Sequence, residues 1–256
     1  MCVPPRLKGI SARIPHVLQS HNWDCGFACL EMTLRALGIQ QKECSLNALR
    51  ARVPWSSIWT VDLVYLLRDY GVSFRFLTST LGVNPEYKNE AFYKATLDAD
   101  SLRVSELFGS APSNDIHIER RSMSDAELCS LMRPHDSLIM ALVDRQYLYR
   151  GDTSSVTGFV ESCFAGLIGH GYVGHYVLIT GFDEARDGYY IKDPAKQSDG
   201  LFVHSRHLNS ARRAHGTDED LIVIPWTQEH VGERPERPER RKLIKPMTVA
   251  ATAAAG

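Results

Sequence analysis

Gln19-Ser20-His21-Asn22-Trp23-Asp24-Cys25-Gly26-Phe27-Ala28-Cys29-Leu30 is the stretch on which the reading of the fold turns. Beyond Asp24, Leu30, Leu34 and Leu37 recur at helical spacing, and Ala28 and Cys29 add to the same side. Gly38 stands where a left-handed C-terminal cap is favoured, so the spacing predicts an amphipathic helix over about 25–37. Cys25 then falls in its first turn. There, unpaired backbone N–H groups and the positive end of the helix dipole favour thiolate over thiol, which makes Cys25 a nucleophile by position. Gly26 is expected to leave room over the sulfur for a substrate carbonyl, and Asp24 reads first as the N-cap.

A thiolate that attacks an acyl carbon needs an imidazole to share its proton, a group to orient that imidazole, and donors for the oxyanion. Working outward, His175 opens the run HYVLITGFD and Asp193 closes the run YYIKDP. The GFDEARDG segment between them has hairpin turn chemistry, which makes the two runs antiparallel neighbours and brings His175 towards Asp193. Gln19, upstream on the loop, is the residue whose carboxamide N–H can fold back as an oxyanion donor beside the Cys25 backbone N–H. Cys29 reads as a core thiol rather than a redox partner.

The remaining pattern is mixed. A helix over about 60–70 is expected, with Thr60 as N-cap and Asp62 in its first turn. VSFRFLTST alternates as a strand, helices are expected near about 86–97 and 101–108, and HIERRS forms a short strand. Ser124 with Glu127 is a capping box whose helix Pro134 stops, and SLIMALVD and DLIVIP are further strands. Residues 146–174, with His170 and Gly171, read as a long loop or insertion, a kind of segment that often carries function. Residues 1–14 form an irregular lead-in, 15–227 one domain, and 228–256, with ERPERPERRK and AATAAAG, a disordered tail.

The balance of 29 Lys+Arg against 30 Asp+Glu excludes a protein held to nucleic acid or anionic lipid mainly by bulk charge. No apolar run reaches the roughly 18–20 residues that span a bilayer, and the N-terminus lacks a secretory apolar region, so a cytoplasmic protein with no membrane contact is expected. The six cysteines include no CxxC pair, which gives no sign of a zinc ribbon or small disulfide framework. Trp55 and Trp59 read as packing residues, His21 as a loop residue, GTDED at 216–220 as a solvated acidic turn, and Arg212, Arg213 and His215 as a solvated face able to meet an anion.

Two resemblances attach to these residues. Gln19 followed by CGFACLEM, then GHYVLITGFD and YIKDPA, resembles the papain-like peptidase domains that cleave double-glycine leader peptides in bacteriocin exporters. Carried over residue by residue, this implies a nucleophile at Cys25, an imidazole at His175, an orienting carboxylate at Asp193 and an oxyanion donor at Gln19. It also implies an α+β, papain-like fold with the N-terminal helix on an antiparallel sheet, and a peptide or protein substrate cleaved without a cofactor. HNWDCGFACLEM, SIWTVDLVYLLRDYGVSFRF, TLGVNPEYKNEAFY and ARRAHGTDEDLIVI are in turn similar to the eukaryotic guanylyl cyclase domain-containing family. That family's name implies Mg²⁺-dependent conversion of GTP to cyclic GMP and pyrophosphate.

The two imply different chemistries. No Gly-rich phosphate loop is present. Asp62, Asp183, Asp218, Glu219 and Asp220 are acidic residues able to meet Mg²⁺, and their spacing singles out no pair. A Cys-His-Asp hydrolase is therefore the first expectation. The cyclase is the second, and a binding module that keeps the scaffold without turnover is the third.

Overall fold

Both faces of one sheet are buried, and this organises everything else. The computed structural model describes residues 13–53, 55, 57–89, 92, 97–149 and 172–226. Among them, seven strands form a single sheet in the order β2-β1-β7-β3-β4-β5-β6. They are β1 (Arg75–Thr78), β2 (Ile118–Arg120), β3 (Ser137–Asp144), β4 (Gly174–Asp183), β5 (Gly188–Lys192), β6 (Leu201–His204) and β7 (Leu221–Pro225). The helices are α1 (Cys25–Ala36), α2 (Gln41–Cys44), α3 (Leu46–Arg50), α4 (Thr60–Asp69), α5 (Leu97–Ser110), α6 (Asp125–Met132), α7 (Arg145–Leu148) and α8 (Ser205–Arg212).

On the central strands the side chains divide by pleat. Leu138, Met140, Leu142, Tyr176 and Leu178 join the core of α1, α4 and α5, whereas Ile139, Ala141, Val143, Val177 and Ile179 join the core beneath α6 and α8. This is why SLIMALVD is apolar throughout rather than alternating: every residue of β3 is buried. The architecture is α+β. The expectation of a purely antiparallel sheet is corrected: β1 and β2 pair in parallel while every other pairing is antiparallel. Parallel strands need a crossover, and the connection from β1 to β2 contains α5.

Several local readings change with the coordinates. Helix α1 starts at Cys25 and is followed by Gly38 at φ 85°, the left-handed stop its position suggests. At α4 the N-cap is Trp59 rather than Thr60, and Asp62 accepts the Trp59 N–H at 2.9 Å. Thr60 is inside the helix, and its hydroxyl is 2.7 Å from the Tyr176 hydroxyl. Of the helix expected near 86–97, the described residues show a 3₁₀ turn over Pro85–Asn89 and a helical Phe92, residues 90–91 and 93–96 lying outside them, and the helix expected near 101–108 lies within α5. The Ser124–Glu127 capping box forms on α6. Arg212 is no solvated cation: it is fully buried and donates to Asn209, to the Met123 carbonyl and to Asp125.

The lead-in up to residue 12, most of the 146–174 insertion with His170 and Gly171, and the tail lie outside the described residues. Among those described, no helix is long and apolar enough to cross a membrane.

Candidate active site

The N-terminus of α1 meets the start of β4. Cys25, the first residue of α1, is buried, and the backbone N–H of Tyr176 in β4 donates to its sulfur at 3.5 Å. The next residue explains the close approach. A Cβ on Gly26 would stand 3.1 Å from Leu63 Cδ1 and 3.1 Å from Tyr176 Cδ2. Gly26 therefore lets the helix seat against the sheet, and the open space expected above it is filled by those two side chains.

His175, adjacent to Tyr176 on β4, is buried and donates through Nε2 to Asp193 Oδ1 at 2.6 Å. Nδ1 is left for the thiol, and Cys25 is one of the groups that act on the ring's proton. Burial alone would pull this imidazole's pKa down, but the Asp193 hydrogen bond, the Cys25 hydrogen bond and the charges of both partners overcome it and carry it up to about 9. Burial pushes Asp193 the other way from the outcome: His175, the Tyr149 hydroxyl and the Ala195 N–H together hold its carboxyl down at about 2. The arrangement favours an imidazolium against the Asp193 carboxylate.

Asp193 sits just past the end of β5, and its surroundings fix it. Its Oδ1 accepts the Ala195 N–H at 2.8 Å, and its Oδ2 accepts the hydroxyl of Tyr149. The loop that delivers Cys25 is tied to the same segment. The Gln19 N–H donates to the Pro194 carbonyl at 2.9 Å, and His16 Nε2 lies 2.7 Å from the Lys196 carbonyl.

Asp24 occupies the N-cap position without capping the helix through its side chain. Its carboxylate instead gathers the N–H groups of Ser20 and His21, at 3.1 and 2.9 Å, and the Arg50 guanidinium, so it shapes the Cys25 loop. The structure thus brings Cys25, His175 and Asp193 together. The Gln19 carboxamide is turned to its own loop: it donates to the His21 carbonyl at 2.7 Å, and its buried Oε1 has no hydrogen-bond partner. His21 is half exposed and stacks on Trp23, with ring centroids 5.6 Å apart. Cys29, one turn on, is fully buried, and burial first, then the charges of Cys25 and Asp193, push its thiol well above the usual range. That suits a core residue.

Cys25 also lines a cavity of about 200 Å³ whose walls include Trp23, Trp59, Phe92, Tyr176, Asp218 and Asp220. A larger hollow of about 720 Å³ between Leu81, Phe108 and Ile118 contains neither the thiol nor the imidazole. Size alone would select the wrong cavity. Tyr149 and the Tyr176 N–H are the site groups that sequence reasoning missed, whereas Asp220 reads from sequence as part of a solvated acidic turn able to meet Mg²⁺. Tyr149 lay in a segment read as loop, and a main-chain donor leaves no residue-type signal.

With this geometry in view, two comparisons bear on kinship. A family model described as Guanylylate cyclase matches residues 14–224. The chain is also similar to Guanylyl cyclase 1 of Arabidopsis thaliana, with 42% identity over 213 residues, covering 82% of this chain and 75% of the plant protein. The chain belongs to the guanylyl cyclase-like family. Membership in the guanylyl cyclase-like family covers the whole region that carries Cys25, His175, Asp193 and the acidic wall at Asp218 and Asp220.

Proposed function

We propose that this member of the guanylyl cyclase-like family is a cytoplasmic cysteine hydrolase on a papain-like scaffold, acting on a peptide or another acyl or amide bond. The observation that carries the reading is that the Cys25 sulfur meets β4 at the Tyr176 N–H, next in sequence to the His175 ring that is hydrogen-bonded to the Asp193 carboxylate. In the proposed cycle the Cys25 thiolate attacks the acyl carbon, and the C–N or C–O bond breaks as the His175 imidazolium protonates the leaving group. Water, deprotonated by the now neutral His175, then adds to the acyl carbon, and the C–S bond breaks to release the acid and leave the Cys25 thiolate beside the His175 imidazolium. The Cys25 backbone N–H is the first oxyanion donor. Gln19 is assigned the second, a role its carboxamide fills by exchanging the His21 carbonyl for substrate oxygen. The reaction needs no cofactor.

The test is site-resolved labelling of the full chain by a peptide acyloxymethyl ketone near neutral pH. Cys25 is expected to react ahead of Cys29, Cys44 and Cys129, and to lose that advantage in His175→Ala. Equal labelling of Cys25 in the variant would reject the ion pair.

One observation favours a second reading, a Mg²⁺-dependent cyclase acting on GTP: the name of the Arabidopsis relative. The donor set does not fit it. Among the described residues no group of three or more His, Cys, Asp or Glu side chains could hold a metal. Asp62 is bound to Arg103, and Asp183 to the Tyr190 hydroxyl. The described residues lining the Cys25 cavity include no Lys or Arg for a triphosphate, and its about 200 Å³ is below the roughly 300–1,000 Å³ of most small-molecule sites. Cyclic GMP made from GTP by purified protein, sensitive to EDTA and retained in Cys25→Ser, would reverse this preference.

A further inference from the structure

The cavity that Cys25 lines is also walled by acidic residues that the proposed hydrolysis does not use. Asp220 precedes β7 and Asp218 lies two residues before it, in the GTDED turn first read as solvated. Asp220 is only 8% exposed, and its Oδ1 is buried with no hydrogen-bond partner. A buried carboxyl oxygen without a donor costs free energy, and natural proteins retain such a group where something else completes it. Asp218 is beside it, its Oδ1 accepting the Tyr87 hydroxyl at 2.6 Å.

The backbone is strained to place this pair: Asp218 and Glu219 adopt φ 48° and 53°, in the left-handed region that such residues seldom occupy. Burial first, and Asp218 second, push the Asp220 carboxyl up to about 8, with Thr60 and Thr78 acting against them.

The remaining wall is aromatic. Trp23, Trp59, Phe92 and Tyr176 line the cavity, and among the described residues that line it none is Lys, Arg or His. Aromatic faces carry a negative quadrupole, and Asp220 supplies the matching full charge once it gives up the proton that burial makes it keep, a loss that an entering cation favours. Both walls therefore select a cation, and the missing partner of Asp220 is a donor. We infer that this cavity is a recognition subsite for an organic ammonium group, such as a primary amine on an alkyl chain, which donates to Asp220 and packs its stem on the aromatic wall beside Cys25. The inference rests on the hydrolase reading for what the subsite serves, since it places a basic group of the substrate next to the reacting sulfur. Its binding chemistry does not depend on Cys25.

The probes are n-pentylammonium and its neutral counterpart 1-pentanol, titrated separately into the full chain at a pH just above 8, where Asp220 is ionised and the amine still protonated, while the indole N–H signals of Trp23 and Trp59 are followed by NMR. The ammonium is expected to shift both indoles and to bind about tenfold more tightly than the alcohol. Asp220→Asn should remove most of that preference and Asp218→Asn part of it. The wild-type comparison of charged with neutral probe stands without either variant. Equal binding of the two probes, a preference that survives Asp220→Asn, or displacement of the amine by Mg²⁺ alone would overturn the inference. Failure of the hydrolase reading is separate: Cys25 would show no selective labelling while the amine preference persisted.

Discussion

Tyr149 donates its hydroxyl to the Asp193 oxygen that His175 does not use, so a residue at the edge of the long insertion holds the carboxylate from behind. The carboxylate is thereby saturated: His175 and Ala195 take one oxygen and Tyr149 the other. Tyr149→Phe removes one donor and leaves the ring packing. A single hydrogen bond is worth about 1 kcal/mol, so the rate of Cys25 alkylation should fall roughly fivefold, against a larger loss in Asp193→Asn. Stopped-flow alkylation of the variants checks the order, and an unchanged rate in Tyr149→Phe would show that the hydroxyl is dispensable.

Linkage fixes the sign of a pH effect. The His175 value rises from 6.5 to about 9, so its contribution to stability is whole below 6.5 and is lost as pH rises through about 9. Asp193 falls from 3.8 to about 2, so its contribution is present above 3.8 and lost as pH drops through about 2. The stability gap between wild type and His175→Ala, measured by urea unfolding, should therefore be widest near pH 5–6 and narrow towards pH 9. A gap independent of pH would contradict the ion pair.

Asp220 has the opposite consequence. A carboxyl raised from 3.8 to about 8 binds its proton more tightly folded than unfolded, so it weakens the fold as pH climbs through that interval. Asp220→Asn should leave stability near pH 4 almost unchanged and raise it by roughly 1–3 kcal/mol at pH 8, while losing amine binding. Thermal melts at the two pH values measure it. Destabilisation at pH 8 would mean that the carboxylate is structurally required.

Gly26→Ala adds a methyl 3.1 Å from Leu63 and Tyr176. Overpacking of this kind costs about 1–3 kcal/mol, partly offset by up to about 1 kcal/mol of helix propensity. A net loss of stability is expected, together with slower Cys25 alkylation, because Tyr176 carries the N–H that meets the sulfur.

Much of this was legible from spacing, and the failures have physical causes. Leu30, Leu34 and the Ser124–Glu127 box are local signals, read within one or two helical turns, and α1 and α6 form where they point. The GFDEARDG turn placed β4 beside β5 because a hairpin is also local. The parallel pairing of β1 with β2 joins residues such as Phe76 and Ile118, and nothing in either short run records its distant partner. Arg212 and Asp220 read as solvated because charged residues usually are; their burial depends on Asp125 in one case and on the aromatic cavity in the other. Gly26 was read for the space it leaves, whereas the structure uses it for the contact it permits.

The central claim is that the His175 ring is an imidazolium held between the Cys25 sulfur and Asp193. A ¹⁵N NMR titration of the ring nitrogens in the full chain tests it most directly. The ring is predicted to stay protonated through neutral pH and to titrate towards about 9 in the free protein, then to fall once Cys25 is alkylated. A ring that loses its proton near 6.5, before and after alkylation alike, would contradict the account.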